Sequence, residues 1–386
     1  MSYYILPEIY NNTLKIKLEC IEDIEIYVSK TLHLYLNNMK KQIDENNDSW
    51  DFIKKYTNPY EFIHTLIPNL KYSVSKIKPL SRSFYKMIEI TNIFHLLNDF
   101  QNKNIDTFHL AEGPGGFIEA TAYLRKNIND NYYGMTLINE DPNVPGWKKT
   151  NNFLMENKNV KIEYGSSNNG NLLLKENLVY CHDKYKGNME LITADGGFDF
   201  SIDFNQQEIL ATKLLYAQVS FAIAMQKKNG HFILKIFDIF TKSTVDIIYL
   251  LSSLYKQVFI IKPNSSRFAN SEKYIVCKYF KNESEELIQQ IINNYDELMN
   301  INYLSSIVDI KHDCYFLNKI EEYNAIFGQM QIENINNTLN LINFKNKNDK
   351  LDFLKKNNIS KSIQWCEKNN IPFNNLQSYT NIFTNL

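Results

Sequence analysis

The chain of 386 residues carries a net charge of −1, with 44% hydrophobic, 13% aromatic and 22% charged residues. That much apolar side chain can bury a sizeable core, and the length suits two or three domains or one large domain with extensions. The near-zero balance excludes a generally basic nucleic-acid binder. No apolar run is expected to reach the roughly 18 residues of a bilayer span, and the opening "MSYYILPEIYNNTLK" lacks the charged and apolar regions of a secretion signal.

Residues 1 to about 60 show helical patches such as "IEDIEIYVSKTLHLYLNNMKKQI" (21–43), ending in an acidic, Asn-rich break near "DENNDSWD" (44–51). A stretch with five cations and no acid follows: Lys71, Lys76, Lys78, Arg82 and Lys86. It reads either as a phosphate-holding segment or as a solvated surface. From about 81 to 281 short apolar runs alternate with helices. The predicted strands are 107–111, 132–138, 160–165, 190–194, 231–237, 257–262 and 273–280, and the clearest predicted helix is 206–228. Such alternation argues for a parallel sheet covered by helices on both faces.

The last two predicted strands are separated by only the ten residues "PNSSRFANSE", too few for a parallel crossover. The seventh strand is therefore expected to run antiparallel, the pattern of class I methyltransferases rather than of the dehydrogenase Rossmann fold. A helix-rich, Asn/Lys-rich tail begins with "ESEELIQQIINNYDELM" (283–299) and continues to 386. The expected organisation is an N-terminal helical extension (1–57), an α/β domain (58–281) and a C-terminal helical extension (282–386).

Cysteines 20, 181, 277, 314 and 366 are far apart with no CxxC pair, which suits reduced thiols in a cytosolic or nuclear protein and offers no zinc site. Cys181-His182-Asp183 has adjacent rather than spaced donors. No metal is expected.

The segment "AEGPGGF" (111–117) concentrates three of the chain's 12 glycines between a predicted strand and a predicted helix. Strand, glycine turn and helix form a general site for nucleotide-type ligands: glycine lets the backbone approach, and the helix start offers free N–H groups. An ordinary tight turn is the alternative, and the absence of GxGxxG speaks against NAD. Four charged residues fall near the ends of elements, where open α/β sheets place ligands. They are Lys86 in "SRSFYKMIEI", Asp195 in "TADGGFD", Lys235 in "ILKIFD" and Glu272 in "SRFANSEKYIVCK". Singly, Asp195 reads as a cap, Lys235 as an edge-strand lysine, and Lys86 and Glu272 as surface charges. Together they form a set that this topology can converge at one point.

The strings "NPYEFI", "SRSFYKM", "AEGPGGFIEA", "YGMTL", "ADGGFDFSIDFNQQEIL", "GHFILKIFDIFT" and "SRFANSEKYIVCK" occur in that order between 58 and 280. In them the chain resembles the FtsJ-like RNA 2′-O-methyltransferases, and within that group the cap-specific mRNA (nucleoside-2′-O-)-methyltransferases. The resemblance implies a class I, Rossmann-like fold with a seven-stranded, mostly parallel sheet and S-adenosylmethionine as cofactor. It implies methyl transfer to the ribose 2′-hydroxyl of the first transcribed nucleotide of capped RNA. Lys86, Asp195, Lys235 and Glu272 fall on the family's catalytic tetrad. Ala111, Glu112, Gly113, Pro114, Gly115, Gly116 and Phe117 fall on the cofactor loop, Ser81 on a neighbouring contact, and Asn171 and Leu172 on a segment touching the adenosine. At 171 the family usually carries aspartate. Asn205, Gln206, Gln207 and Asn270 match contacts to the substrate nucleotide, and Lys54 a basic position meeting the capped end.

The chemistry fits these residue types. A sulfonium donor leaves as a neutral thioether, so the task is to remove one proton and align the attack. A lysine serves as base when a second cation and exclusion of water lower its pKa. Lys235 is the expected base, Lys86 the second cation, and Asp195 and Glu272 their orienting groups. Two other functions stay open at this point: a 2′-O-methyltransferase of rRNA or tRNA, and a non-catalytic RNA-binding or scaffold subunit. The expected partners are the capped mRNA 5′ end and other capping or transcription proteins, with no membrane. The Asn-, Lys-, Ile- and Tyr-rich composition suggests AT-rich coding, and with it the cytoplasm of a cell infected by a large DNA virus; the nucleus is the alternative.

Overall fold

A computed structural model describes residues 3–10, 14–20, 25–139, 146–197, 206–281, 285–344 and 347–374. The N-terminal part holds β1 (Tyr3–Ile5), β2 (Ile16–Cys20), α1 (Lys30–Asp44) and α2 (Asn47–Thr57). The central part runs α3 (Ser83–Phe94), β3 (Asp106–Leu110), α4 (Gly116–Arg125), β4 (Asn131–Met135), α5 (Asn151–Glu156), β5 (Val160–Ile162), α6 (Lys175–Tyr185) and β6 (Met189–Ala194). It continues through α7 (Gln207–Met225), β7 (Gln226–Ile236), α8 (Lys242–Leu254), β8 (Tyr255–Ile261) and β9 (Lys273–Phe280). The C-terminal part holds α9 (Glu285–Asn294), α10 (Glu297–Asn300), β10 (Leu304–Val308), α11 (Cys314–Asn343) and α12 (Lys347–Lys368).

The main sheet has the order β1-β8-β9-β7-β6-β3-β4-β5. The pairs β5–β4, β4–β3, β3–β6 and β6–β7 are parallel, while β9 runs antiparallel to both β7 and β8. The short β8–β9 connection thus reverses the chain, as its length requires. The sheet differs from the expected seven strands: β1 adds an eighth, pairing Tyr3 with Ile261 and Ile5 with Phe259. The terminal segments are also not purely helical, because β2 pairs with β10 across 284 residues of sequence between Cys20 and Leu304. β1 (YYI) and β10 (LSSIV) do not alternate, and β2 (IKLEC) alternates over only five residues, so periodicity marks these strands weakly.

Both faces of the sheet are covered, and the core divides accordingly. Phe232, Leu234 and Ile236 of β7 and Ile275 and Cys277 of β9 pack with α7 and α8 on one face. Ile233 of β7 and Tyr274 and Val276 of β9 pack with α3 and α4 on the other. Side chains alternate along a strand, so Lys235 shares the face of Ile233, opposite Tyr274 in the ladder. Helix α7 is apolar nearly all round and is long and apolar enough by composition to cross a bilayer, which the sequence expectation did not allow for. Here it is a core helix, with 78% of that stretch buried. It ends earlier than expected because Gln226, Lys227 and Lys228 already belong to β7.

Candidate active site

The carboxyl ends of β3, β6 and β7 open onto one side of the sheet, and β3 and β6 flank the point where strand order reverses. After β3 the chain turns sharply, with Ala111 (φ 52°) and Gly115 (φ 110°) left-handed. Gly115 donates to the Glu112 carbonyl at 2.7 Å, and Thr150 Oγ1 to the Pro114 carbonyl at 2.8 Å. Gly116 opens α4 against the head of α3: a Cβ there would lie 2.2 Å from both Ser81 Oγ and Ser83 Oγ. The loop after β6 closes on this turn, since a Cβ at Gly196 would come within 2.9 Å of Ala111 Cβ.

Glu112 is buried inside the turn, its Oε1 accepting hydrogen bonds from Phe117 N (2.6 Å) and Ile118 N (3.0 Å). Burial pushes its carboxyl up to about 8, the Asp195 charge adding to the effect and the two N–H groups opposing it. Beyond β4, Leu137 and Ile138 stay 38% and 43% exposed, leaving apolar surface beside the glycine turn. Ile138 N donates to Asn169 O at 2.8 Å, which ties this edge to the segment holding Asn171 and Leu172. Asn171 Oδ1 accepts from Leu173 N at 2.9 Å, a local turn that an aspartate oxygen would make equally well. Leu172 is buried, and its carbonyl accepts from Tyr295 OH at 2.6 Å.

The four charged residues converge. Lys86 of α3 is buried and holds Glu272 with Nζ–O distances of 2.7 and 2.8 Å. Burial lowers the Lys86 ammonium from its ordinary value, opposed by Glu272 and Asp195 and assisted by Arg82 and Lys235. Burial alone would raise the Glu272 carboxyl, but Lys86 and then Lys235 pull it well below the usual range. Lys235 Nζ donates to the Asp195 carbonyl at 2.6 Å and lies 3.4 Å from Asp195 Oδ1. It also faces the next turn, 3.2 Å from where a Cβ of Gly197 would stand.

Tyr274, which sequence reasoning missed, joins the two halves. Its hydroxyl donates to Asp195 Oδ1 at 2.8 Å and lies 3.5 Å from Glu272 Oε1. Burial first, and then the two carboxylates, hold this phenol well above its ordinary value, so it stays protonated. A signal existed: Tyr274 stands two residues after Glu272 at the start of a strand, hence on the same face. Arg82 belongs to the basic stretch. It is half-buried at the head of α3 and exerts its charge on Lys86 and Glu272.

The segment from Lys262 to Glu272 forms a second wall. Lys262 is buried and donates to Asn270 O (2.6 Å), Asn270 Oδ1 (2.8 Å) and Glu272 O (2.8 Å). Burial, with Lys273 adding, holds its ammonium well below the ordinary value. Gln207 Oε1 accepts from Ser271 Oγ at 2.7 Å, and Gln206 is exposed just before α7. Asn205 lies outside the described residues. Glu61 of the "NPYE" string takes both arms of Arg267, at 2.9 and 2.6 Å, and also Asn58 Nδ2 at 2.7 Å. Lys54 is not drawn into the tetrad: it pairs with Asp51 on α2, and its carbonyl accepts from Asn58 N, whose side chain meets Glu61, the partner of Arg267. Of the basic stretch, Lys71, Lys76 and Lys78 are exposed and only Lys86 is buried. Cys181 packs in the core, and His182 bonds Asp183 at 3.3 Å.

The FtsJ-like methyltransferase family model matches residues 79–280, just over half of the chain, and the chain belongs to that family. It is 30% identical over 249 residues to the cap-specific mRNA (nucleoside-2′-O-)-methyltransferase 1A of Caenorhabditis briggsae, covering 60% of this chain and 28% of that protein. Against the cap-specific mRNA (nucleoside-2′-O-)-methyltransferase 2 of Danio rerio the identity is 31% over 273 residues, 67% of this chain and 36% of that one. An inactive cap-specific mRNA (nucleoside-2′-O-)-methyltransferase 1B of Caenorhabditis briggsae is 28% identical over 249 residues, 60% of this chain and 29% of that one. The chain thus spans between 28% and 36% of the length of these relatives.

In this family the methyl donor is S-adenosylmethionine. The residues fit it: a left-handed glycine turn at a helix start, a buried carboxyl group beside it, and exposed Leu137 and Ile138 next to Asn171.

Proposed function

We propose that this chain methylates the ribose 2′-hydroxyl of the first transcribed nucleotide of capped mRNA, taking cap 0 to cap 1. The relatives named for this activity support the substrate class, and the cluster Lys86–Glu272, Asp195–Lys235, joined through Tyr274, is the observation that carries the reading. Residues 58–281 are the catalytic unit in this proposal, with 1–57 and 282–386 as extensions.

Bound at the glycine turn, the sulfonium supplies a methyl group already activated for transfer and leaves as a neutral thioether. Lys235 is the proton acceptor: as a neutral amine it keeps an N–H for the Asp195 carbonyl and has a lone pair for the 2′-hydroxyl proton. Lys86, tethered to Glu272, keeps a second positive charge in the site, which stabilises the developing oxyanion. Gln206, Gln207 and Asn270 hold the acceptor nucleotide, and Lys54 meets the capped end.

Mass analysis of a short capped RNA after incubation with protein and S-adenosylmethionine tests the reading; a gain of one methyl on the first ribose is expected, and no gain on the uncapped RNA. A non-catalytic subunit is the second reading, favoured by the similarity to a relative named as inactive. It predicts binding of capped RNA without transfer.

A further inference from the structure

Along α11, Asn324, Gln331 and Thr338 stand seven residues apart on a face otherwise made of buried hydrophobics such as Ile320, Phe327 and Ile335. All three polar side chains are buried, which is unfavourable unless each finds a partner. Asn324 Nδ2 donates to Ile239 O at 2.6 Å, and Gln331 Nε2 to Ala269 O at 2.9 Å. Thr338 Oγ1 meets Thr57 Oγ1 at 2.6 Å, and Asn334 Nδ2, on the same side, donates to Thr57 O at 3.0 Å. From α12 the buried Asn358 donates to Tyr56 O (2.8 Å) and Asn58 O (3.2 Å).

The partners are not scattered. Ile239 follows Lys235 by four residues, Ala269 precedes Asn270, and Tyr56, Thr57 and Asn58 join Lys54 to Glu61. Each is a segment of the acceptor half of the site. None of these five side chains bonds the glycine turn or the edge at Leu137 and Ile138 that form the donor half.

We infer that α11 and α12 are a positioning scaffold for the acceptor half of the site: their amides fix the carbonyls of Ile239, Ala269 and Tyr56–Asn58, and the Thr338 hydroxyl meets that of Thr57, which together set the turn after β7, the 262–272 wall and the end of α2. The inference rests on the proposed function, in which these segments hold RNA. A neutral amide suits the task because it satisfies a loop carbonyl without adding charge beside the two lysines.

The test is Gln331→Leu in the full chain, with three readouts: S-adenosylmethionine Kd by calorimetry, KM and kcat for capped RNA per donor-titrated site, and amide hydrogen exchange. The expected result is at least a tenfold loss in kcat/KM for RNA, donor Kd within twofold of wild type, and faster exchange confined to 263–272. Equal losses on donor and acceptor sides overturn the inference, as does unchanged exchange and kcat/KM. Asn334→Ala, at a half-buried position, repeats the test at the end of α2 should Gln331→Leu not fold. If wild-type protein transfers no methyl to capped RNA, the proposed function fails, while donor Kd and the exchange pattern still decide the scaffold.

Discussion

Tyr274 and Asp195 are bonded at 2.8 Å, phenol to carboxylate, directly beside the lysine that stands opposite Tyr274 in the β7–β9 ladder. The bond sets which way Asp195 faces and thereby how far its charge acts on Lys235. Replacing Tyr274 by Phe keeps the ring and removes only the donor. A hydrogen bond to a buried charged group contributes about 1.5–3 kcal/mol, so kcat should fall by about ten- to a hundredfold. Single-turnover methyl transfer measures this, and donor affinity should stay unchanged.

Lys235→Ala removes the proposed base. General-base removal typically costs about 10²–10⁴ in rate. Donor binding should survive, because Lys235 bonds Asp195 and not the glycine turn. Transfer at more than a few per cent of wild type would refute the assignment.

Gly116→Val should act in the opposite order. Its Cβ would stand 2.2 Å from the Ser81 and Ser83 hydroxyls, so the turn or the head of α3 must move. Donor affinity should weaken about tenfold or more, or ~1.4 kcal/mol, before any effect on chemistry is measurable. Equilibrium binding of S-adenosylmethionine checks it.

Glu112 gives the donor site a pH dependence. Its carboxyl is pushed up to about 8, so in the free protein it is mostly neutral at pH 7. Because the folded value is raised, its contribution to stability is complete below about 4.5 and is lost as pH rises through 8. If Glu112 meets the donor's ammonium group, binding favours the carboxylate and releases a proton. Affinity should then rise between pH 6 and 8, and Glu112→Gln should flatten the profile. Calorimetry in buffers of different ionisation enthalpy reads the proton directly.

Arg267→Met leaves the fully buried Glu61 carboxylate without its cation. Burial alone would raise that carboxyl, but Arg267 holds it at about 2. Breaking a buried pair costs about 3–5 kcal/mol, and the partly exposed Arg267 places this one near the lower end. The depressed value means that the stabilisation is present above about 4.5 and is lost as pH falls through 2. Urea melts at pH 7 and pH 3 should show the wild-type advantage shrinking in acid.

The sheet was legible where apolar runs were long and bounded. β9 occupies the predicted 273–280, and the reversal of that strand followed from the length of one loop. The runs at 132–138 and 160–165 proved shorter as strands, because Thr136–Ile138 and Glu163–Gly165 leave the sheet as loops. Lys227 and Lys228 resembled the basic end of a helix and lie instead in the exposed start of β7. In the site, Lys235 stood out as a charge in an apolar strand. Tyr274 did not, being one of 25 tyrosines with no marker except its register to Glu272. The polar face of α11 was hidden in the same way, since its spacing is lost among the many amides of the tail.

The pairing of β1 with β8 also bears on how this protein behaves in a test tube. Tyr3, Tyr4 and Ile5 shield the outermost peptide groups of an otherwise open ladder. Deleting the first ten residues would bare that row to any neighbouring strand, inviting end-to-end self-association. Shortened versions that clump while retaining their helical signal would be explained by this missing ribbon rather than by damage to the pocket.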